Sequence, residues 1–295
     1  TVTLPNRLLT IYRNATLHVN GHFSSGEASI KEGGILDLSN VKTFTTVSNI
    51  NVNTSGTLTT RSSTSSNGGT IRAEAIYVDG SADFNYKTVT AGTEIATYNG
   101  GSLKVKNSKI ITEKWDFWVN GGVFDAEGST LSLKGNFIVK SGATFKASNT
   151  TISATHGKLY NGAAVTIANK VNLNFSGRFS CAVSKITLGT CDSLSPQNND
   201  GYGISANEFE LGQVDGSGAS NTQISLCGGS MMKFSGSSGV LNQYNNAKIC
   251  LEYWATFYCS GNIHGEGLKQ SWIKGQTGFT WSNCKKKYST SNDKC

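Results

Sequence analysis

Apolar and polar residues alternate along this chain in short bursts, and a glycine-led turn precedes each burst. The phrases run Gly33-Gly34-Ile35-Leu36-Asp37-Leu38, Asp79-Gly80-Ser81-Ala82-Asp83-Phe84, Asn99-Gly100-Gly101-Ser102-Leu103-Lys104-Val105, Asn120-Gly121-Gly122-Val123-Phe124-Asp125-Ala126, Ser141-Gly142-Ala143-Thr144-Phe145-Lys146-Ala147 and Asn161-Gly162-Ala163-Ala164-Val165-Thr166-Ile167. Strict alternation over a few residues predicts a strand with one buried face. The leading glycines, Gly80, Gly100, Gly121, Gly142 and Gly162, recur at a nearly constant interval. A fixed period of this length marks units that bury their apolar faces only by stacking on one another. No long window carries helical periodicity. The pattern therefore predicts an all-β chain, a single right-handed parallel β-helix of about 20–22 residues per coil.

Along the chain, residues 1–20 read as a strand segment that serves as an assembly element or a cap. Residues 21–191 read as the regular solenoid, 192–280 as less regular coils that contain cysteine, and 281–295 as a basic tail. Asn20, Asn67, Asn99, Asn120 and Asn161 each stand directly before a glycine. Asparagine tolerates left-handed backbone and stacks into hydrogen-bonded ladders, so these residues read as turn structure.

Composition adds a compartment. The chain starts at Thr1, and its only methionines are Met231 and Met232; a processed, secreted product is the expectation. Asn14, Asn53, Asn149 and Asn174 head acceptor triplets for N-glycosylation. All seven cysteines lie at or beyond residue 181. The spacings Cys227 to Cys250 and Cys259 to Cys284 are close to one coil, which predicts disulfides between adjacent coils. Cys181 and Cys191 would close a local loop. Cys295 is left over, unpaired or intermolecular, with Cys284–Cys295 as the other pairing. The C-terminal part is thus expected to be disulfide-braced. No CxxC pair or zinc-finger histidine spacing is present, so neither metal nor cofactor is expected.

Charge is unevenly placed. From Gly128 to Thr190 there is no Asp or Glu, while Lys134, Lys140, Lys146, Lys158, Lys170, Arg178 and Lys185 fall there. Such a field suits an anion: an acidic glycan, a cell surface, or an acidic patch on another copy. Scarce arginine and the absence of a binding module argue against nucleic acid. No apolar run is long enough to span a membrane.

Catalytic signals are thin. Glu113, Asp116, Asp125 and Glu127 form the densest acidic group, but Asp116 and Asp125 are not one coil apart and read as turn residues. No GxSxG elbow or GxxxxGK loop occurs. Trp115, Phe117 and Trp118 are the candidate sugar platform; alternation puts Trp115 and Phe117 on one face. Tyr253, Trp254, Phe257 and Tyr258 form a second aromatic group.

The Gly-Gly-x-apolar-x-apolar phrase, the coil length and the Ser/Thr/Asn-rich turns resemble right-handed parallel β-helix proteins of secreted adhesin type, such as autotransporter passengers and filamentous-haemagglutinin-like adhesins. The resemblance spans roughly residues 14–280. It implies a secreted structural or adhesive protein. The strand-only N-terminal segment adds an expectation of end-to-end assembly with copies of itself into a filament or surface layer. The alternative is a polysaccharide-binding or polysaccharide-degrading β-helix protein.

Overall fold

A computed structural model describes residues 1–60, 68–189, 202–218, 221–227, 229–234, 239–245, 247–251 and 255–258, with the backbone of strands at 263–264, 273–274 and 287–289. Among the described residues the chain is all-β, a right-handed parallel β-solenoid of about 11 turns with about 21 residues per coil. It divides into two compact units, residues 1–136 with 142–145, and residues 137–141 with 146–295.

In the first unit, three parallel ladders run through successive coils. One of them stacks Thr16–His18, Ile35–Asp37, Thr57–Thr59, Ser81–Asn85, Ser102–Lys106 and Val123–Glu127. The register never slips along this ladder. Leu36, Leu58, Ala82, Leu103 and Phe124 therefore form one fully buried column. The alternate positions form an outward column, Asp37, Thr59, Asp83, Lys104 and Asp125. A one-residue slip would exchange the two columns, which is why a period-2 pattern pins the register. A second device stacks serines at a corner. Ser108 Oγ accepts the Lys87 N–H at 3.0 Å, and Ser129 Oγ accepts the Ser108 N–H at 3.1 Å. Both hydroxyls are buried and replace ladder bonds where the strands bend.

The second unit repeats the plan. Phe137–Val139, Gly157–Leu159, Arg178–Cys181, Glu208–Leu211 and Gly239–Gln243 make one ladder. Inside, Phe179, Phe209, Phe234 and Phe257 meet edge to face, with centroids 6.1, 4.9 and 5.8 Å apart. Edge-to-face contact suits the ring quadrupole and fills a core one side chain wide. Two features break the parallel rule. Gln213–Val214 and Ser217–Gly218 form an antiparallel hairpin that projects from the coil. Lys287–Ser289 pairs antiparallel with Thr256–Tyr258.

The local loop expected between Cys181 and Cys191 does not form. Cys181 is a free thiol buried in the core. It points inward with its ladder neighbours Leu159 and Leu211, and burial pushes its thiol up to about 12. Cys227 and Cys250 are also buried, and neither is a free thiol. Their spacing does not match the local coil. The ladder sets Gln223 beside Lys248, a longer step than that from Cys227 to Cys250, so Cys250 lies beside Ser225 and not beside Cys227. Cys191, Cys259, Cys284 and Cys295 lie outside the described residues.

Candidate functional site

The second unit carries an open polar cleft of about 330 Å³ lined by His156, Lys158, Gly177, Arg178, Ser180, Asn207, Glu208 and Asp215. Its floor is the ladder of Gly157–Leu159, Arg178–Cys181 and Glu208–Leu211. In Arg178–Cys181, Phe179 and Cys181 point into the core, so Arg178 and Ser180 take the other face. The register then puts Lys158, Ser180 and Glu210 in one row, and Arg178 beside Glu208 in the next.

Acidic residues from beyond the basic segment meet its cations here. Arg178 Nη2 lies 2.9 Å from Glu208 Oε1, and its Nη1 lies 3.8 Å from Glu210. Glu210 is only 6% exposed, so this guanidinium is what balances its charge. Lys158 Nζ reaches both oxygens of Asp215, at 2.9 and 3.0 Å. The Tyr160 hydroxyl donates to the same carboxylate. Lys158 and Tyr160 hold the Asp215 carboxyl below its ordinary value by hydrogen bonding. Burial, together with the Asp215 contact, raises the Tyr160 hydroxyl. Lys140 Nζ sits 3.8 Å from the centroid of the Tyr160 ring, a cation–π contact that fixes the ring plane.

His156 is positioned through its ring. The Arg178 N–H donates to its Nδ1 at 2.8 Å, so the neutral imidazole carries its proton on Nε2. A Cβ at Gly177 would lie 2.4 Å from His156 Cε1. Glycine at that position is what leaves room for the imidazole. The cleft thus offers donors from Lys158 and His156, and acceptors from Glu208 and Asp215, with Tyr160 adjoining it through Asp215.

Of the basic residues singled out in the sequence, Lys158 and Arg178 line this cleft, and Lys140 reaches the Tyr160 ring beside it. Lys134 follows the strand Thr130–Leu133 in the first unit. Lys146 and Lys185 are exposed on the strands Thr144–Ser148 and Lys185–Leu188, and Lys170 occupies a left-handed turn with φ of 58°. The acidic group around residue 120 does not converge. Glu113 pairs with Arg72 at 2.7 Å and Glu127 with Lys106 at 2.9 Å, Asp125 faces Lys104 across the ladder, and Asp116 accepts the Asn136 N–H at 2.7 Å.

The aromatic platform is divided too. Phe117 is fully buried, whereas Trp115 is 60% exposed. The strand begins only at Phe117, so the bend before it ends the alternation that would have put both on one face. Phe257 is core, Tyr258 lies 5.4 Å from Lys233 Nζ, and Tyr253 and Trp254 lie outside the described residues. Among the acceptor triplets, Asn14 and Asn149 are both exposed in turns. Asn174 is half-buried within the strand Asn172–Phe175. Asn53 spends its Nδ2 on Ile30 O at 2.9 Å and Ser29 Oγ at 3.2 Å.

Sequence reading missed Glu208 and Asp215. The available signal was Asp215-Gly216, a dipeptide that favours a two-residue hairpin. Nothing local says that its tip returns to Lys158. Among the described residues, no group of three His, Cys, Asp or Glu side chains could hold a metal ion, and no helix is long and apolar enough to cross a membrane.

No protein-family profile, curated protein or solved structure matches this chain.

Proposed function

We propose that this chain is a secreted structural and adhesive solenoid that holds polysaccharide in the polar cleft between His156 and Asp215. The observation that carries the reading is the cleft itself. Charged donors and acceptors sit beside the ring of Tyr160 on a rigid strand floor. Polyhydroxylated chains are held by such planar polar groups placed on rigid elements, with an aromatic surface alongside. Adjacent coils repeat at about 4.8 Å, so a linear ligand meets a fresh set of side chains every step. The exposed triplet at Asn14 fits a secreted protein.

Affinity electrophoresis of the full chain through gels containing neutral and acidic polysaccharides tests this. The expected result is retardation by at least one glycan, reduced about tenfold by His156→Ala or Asn207→Ala with the circular dichroism unchanged; one lost polar contact is worth about that much. Migration of wild type and both variants alike in every gel would overturn the reading. Shortening of the retained glycan would show cleavage, the enzymatic form of the same reading.

End-to-end assembly into filaments is a second reading, favoured by one observation. Val2–Ile11 pairs with Gly21–Ile30 alone among the described strands, and Val2 and Leu8 on it are 51% and 60% exposed. An open strand edge with apolar side chains accepts a strand from a second copy. The antiparallel strand Lys287–Ser289 opposes extension at its own ladder, so assembly uses the other ladders. Negative-stain microscopy should then show filaments that Leu8→Lys disperses. Isolated short rods in the wild type would sink this reading.

A further inference from the structure

The Asp215 carboxylate is an internal occupant of a ligand position. Lys158 and Tyr160 give it three hydrogen bonds inside an open cleft. We propose that this Lys158–Tyr160 position is the seat for a carboxylate of the bound glycan, and that the cleft therefore selects chains containing uronic acid. The inference rests on the glycan reading above.

Three features support exchange of Asp215 for a ligand. First, Asp215 stands at the tip of the hairpin, with φ of 49° followed by Gly216 at 80°. The base of the hairpin is anchored separately. Val214 is fully buried, and Asn245 Nδ2 donates to Gly212 O at 2.9 Å. The tip can leave Lys158 without unfolding the coil. Second, the Asp215 side chain is 51% exposed and that of Lys158 26%. Solvent reaches the contact, and an exposed pair of this kind is weak. Third, charge must balance. When Asp215 departs, Lys158 needs another anion, and Arg178 is already committed to Glu208 and Glu210. A neutral sugar cannot replace the carboxylate, whereas a uronate can accept the same three hydrogen bonds. Lys140, held on the Tyr160 ring, adds positive potential at that end of the cleft. The depressed carboxyl of Asp215 is a separate sign that the position favours the charged form.

Titration calorimetry of the full chain with an oligogalacturonate, and with the same oligomer after reduction of its carboxyls to alcohols, tests the inference. Removing an internal competitor raises apparent affinity by the fraction of sites it had blocked. Asp215→Asn keeps the hairpin and removes the charge, so it should bind the oligogalacturonate about fivefold more tightly than the wild type. For the reduced oligomer the gain should be smaller. Adding Lys158→Gln should abolish the gain. An Asp215→Asn affinity equal to or weaker than wild type, or an equal gain for both oligomers, would overturn the carboxylate seat while leaving the glycan reading intact, provided that the wild type binds either oligomer. Failure of every variant to bind either oligomer, together with uniform migration in the polysaccharide gels, would overturn both.

Discussion

Replacing Phe124 with alanine should lower the unfolding free energy by about 4 kcal/mol, near the middle of the range for buried Phe→Ala changes. Phe124 is fully buried. Its ring stacks on Phe145 with centroids 5.7 Å apart and planes 6° apart, and tilts against Phe117 at 4.7 Å. The cost of such a change depends on whether the surroundings collapse into the space. Here they cannot. The backbone ladder joins Val123 to Ser102, and the Val123 N–H is tied to Gly101 O at 2.8 Å. Coil spacing is set by those bonds and not by the side chain between them. Urea unfolding of the two proteins, followed by circular dichroism and by tryptophan emission, measures the loss. Phe124→Leu should cost less than about 1.5 kcal/mol because most of the volume stays filled. A loss below about 2 kcal/mol for the alanine variant, under the usual range for such a truncation, would mean that the coils close over the gap. Packing rather than hydrogen bonding would then set their spacing.

The second large effect is expected at Gly101. A Cβ there would lie 2.1 Å from the carbonyl oxygen of Val78 and 2.8 Å from its carbon. Both are backbone atoms of the neighbouring coil. Gly101 itself is pinned, donating to Tyr98 O at 2.7 Å and accepting from Val123 N–H at 2.8 Å. Neither partner can retreat without breaking ladder bonds, so Gly101→Ala should cost about 3 kcal/mol, the upper end for overpacking. Its neighbour provides the control. Gly100 has φ of 82° but nothing within 4 Å of a built Cβ. Gly100→Ala should therefore cost only the left-handed penalty of about 1–2 kcal/mol. Thermal and urea unfolding of both variants would separate steric clash from backbone strain. Equal losses at the two positions would show that turn conformation, not coil contact, makes the double glycine necessary.

Much of this architecture was legible because its causes are local. The alternation in Ser102–Lys106 and Val123–Glu127 states which residues face inward, and the recurring glycine turns state where each strand ends. The turn asparagines were read partly in the wrong place. Asn99 does take a left-handed conformation, with φ of 47°, but after Asn20 and Asn120 it is Gly21 and Gly121 that do so. The stacked serines at 108 and 129 passed unnoticed, although they too recur one coil apart. A corner hydroxyl looks like any exposed serine until the neighbouring backbone is in place.

The cleft was legible only in half. The run of cations without carboxylates between Gly128 and Thr190 was visible, and it suggested a bare positive field. The coil stack brings Glu208 and Asp215 onto Arg178 and Lys158, so the field is largely compensated where those side chains converge. The cysteine interval depends on turn length in the same way. The interval from Cys227 to Cys250 looks like one coil, but the coil there makes the longer step from Gln223 to Lys248, which sets Cys250 beside Ser225.

By itself, then, the sequence determined the solenoid, its coil period and the inward face of each strand. Those follow from side-chain alternation and turn chemistry within a few residues. The tertiary structure alone decided which coils exchange charges, whether Trp115 or Phe117 enters the core, and where the Asp215 hairpin lands. Those depend on the accumulated length of every turn between two strands, and one extra residue in any turn shifts all the neighbours that follow.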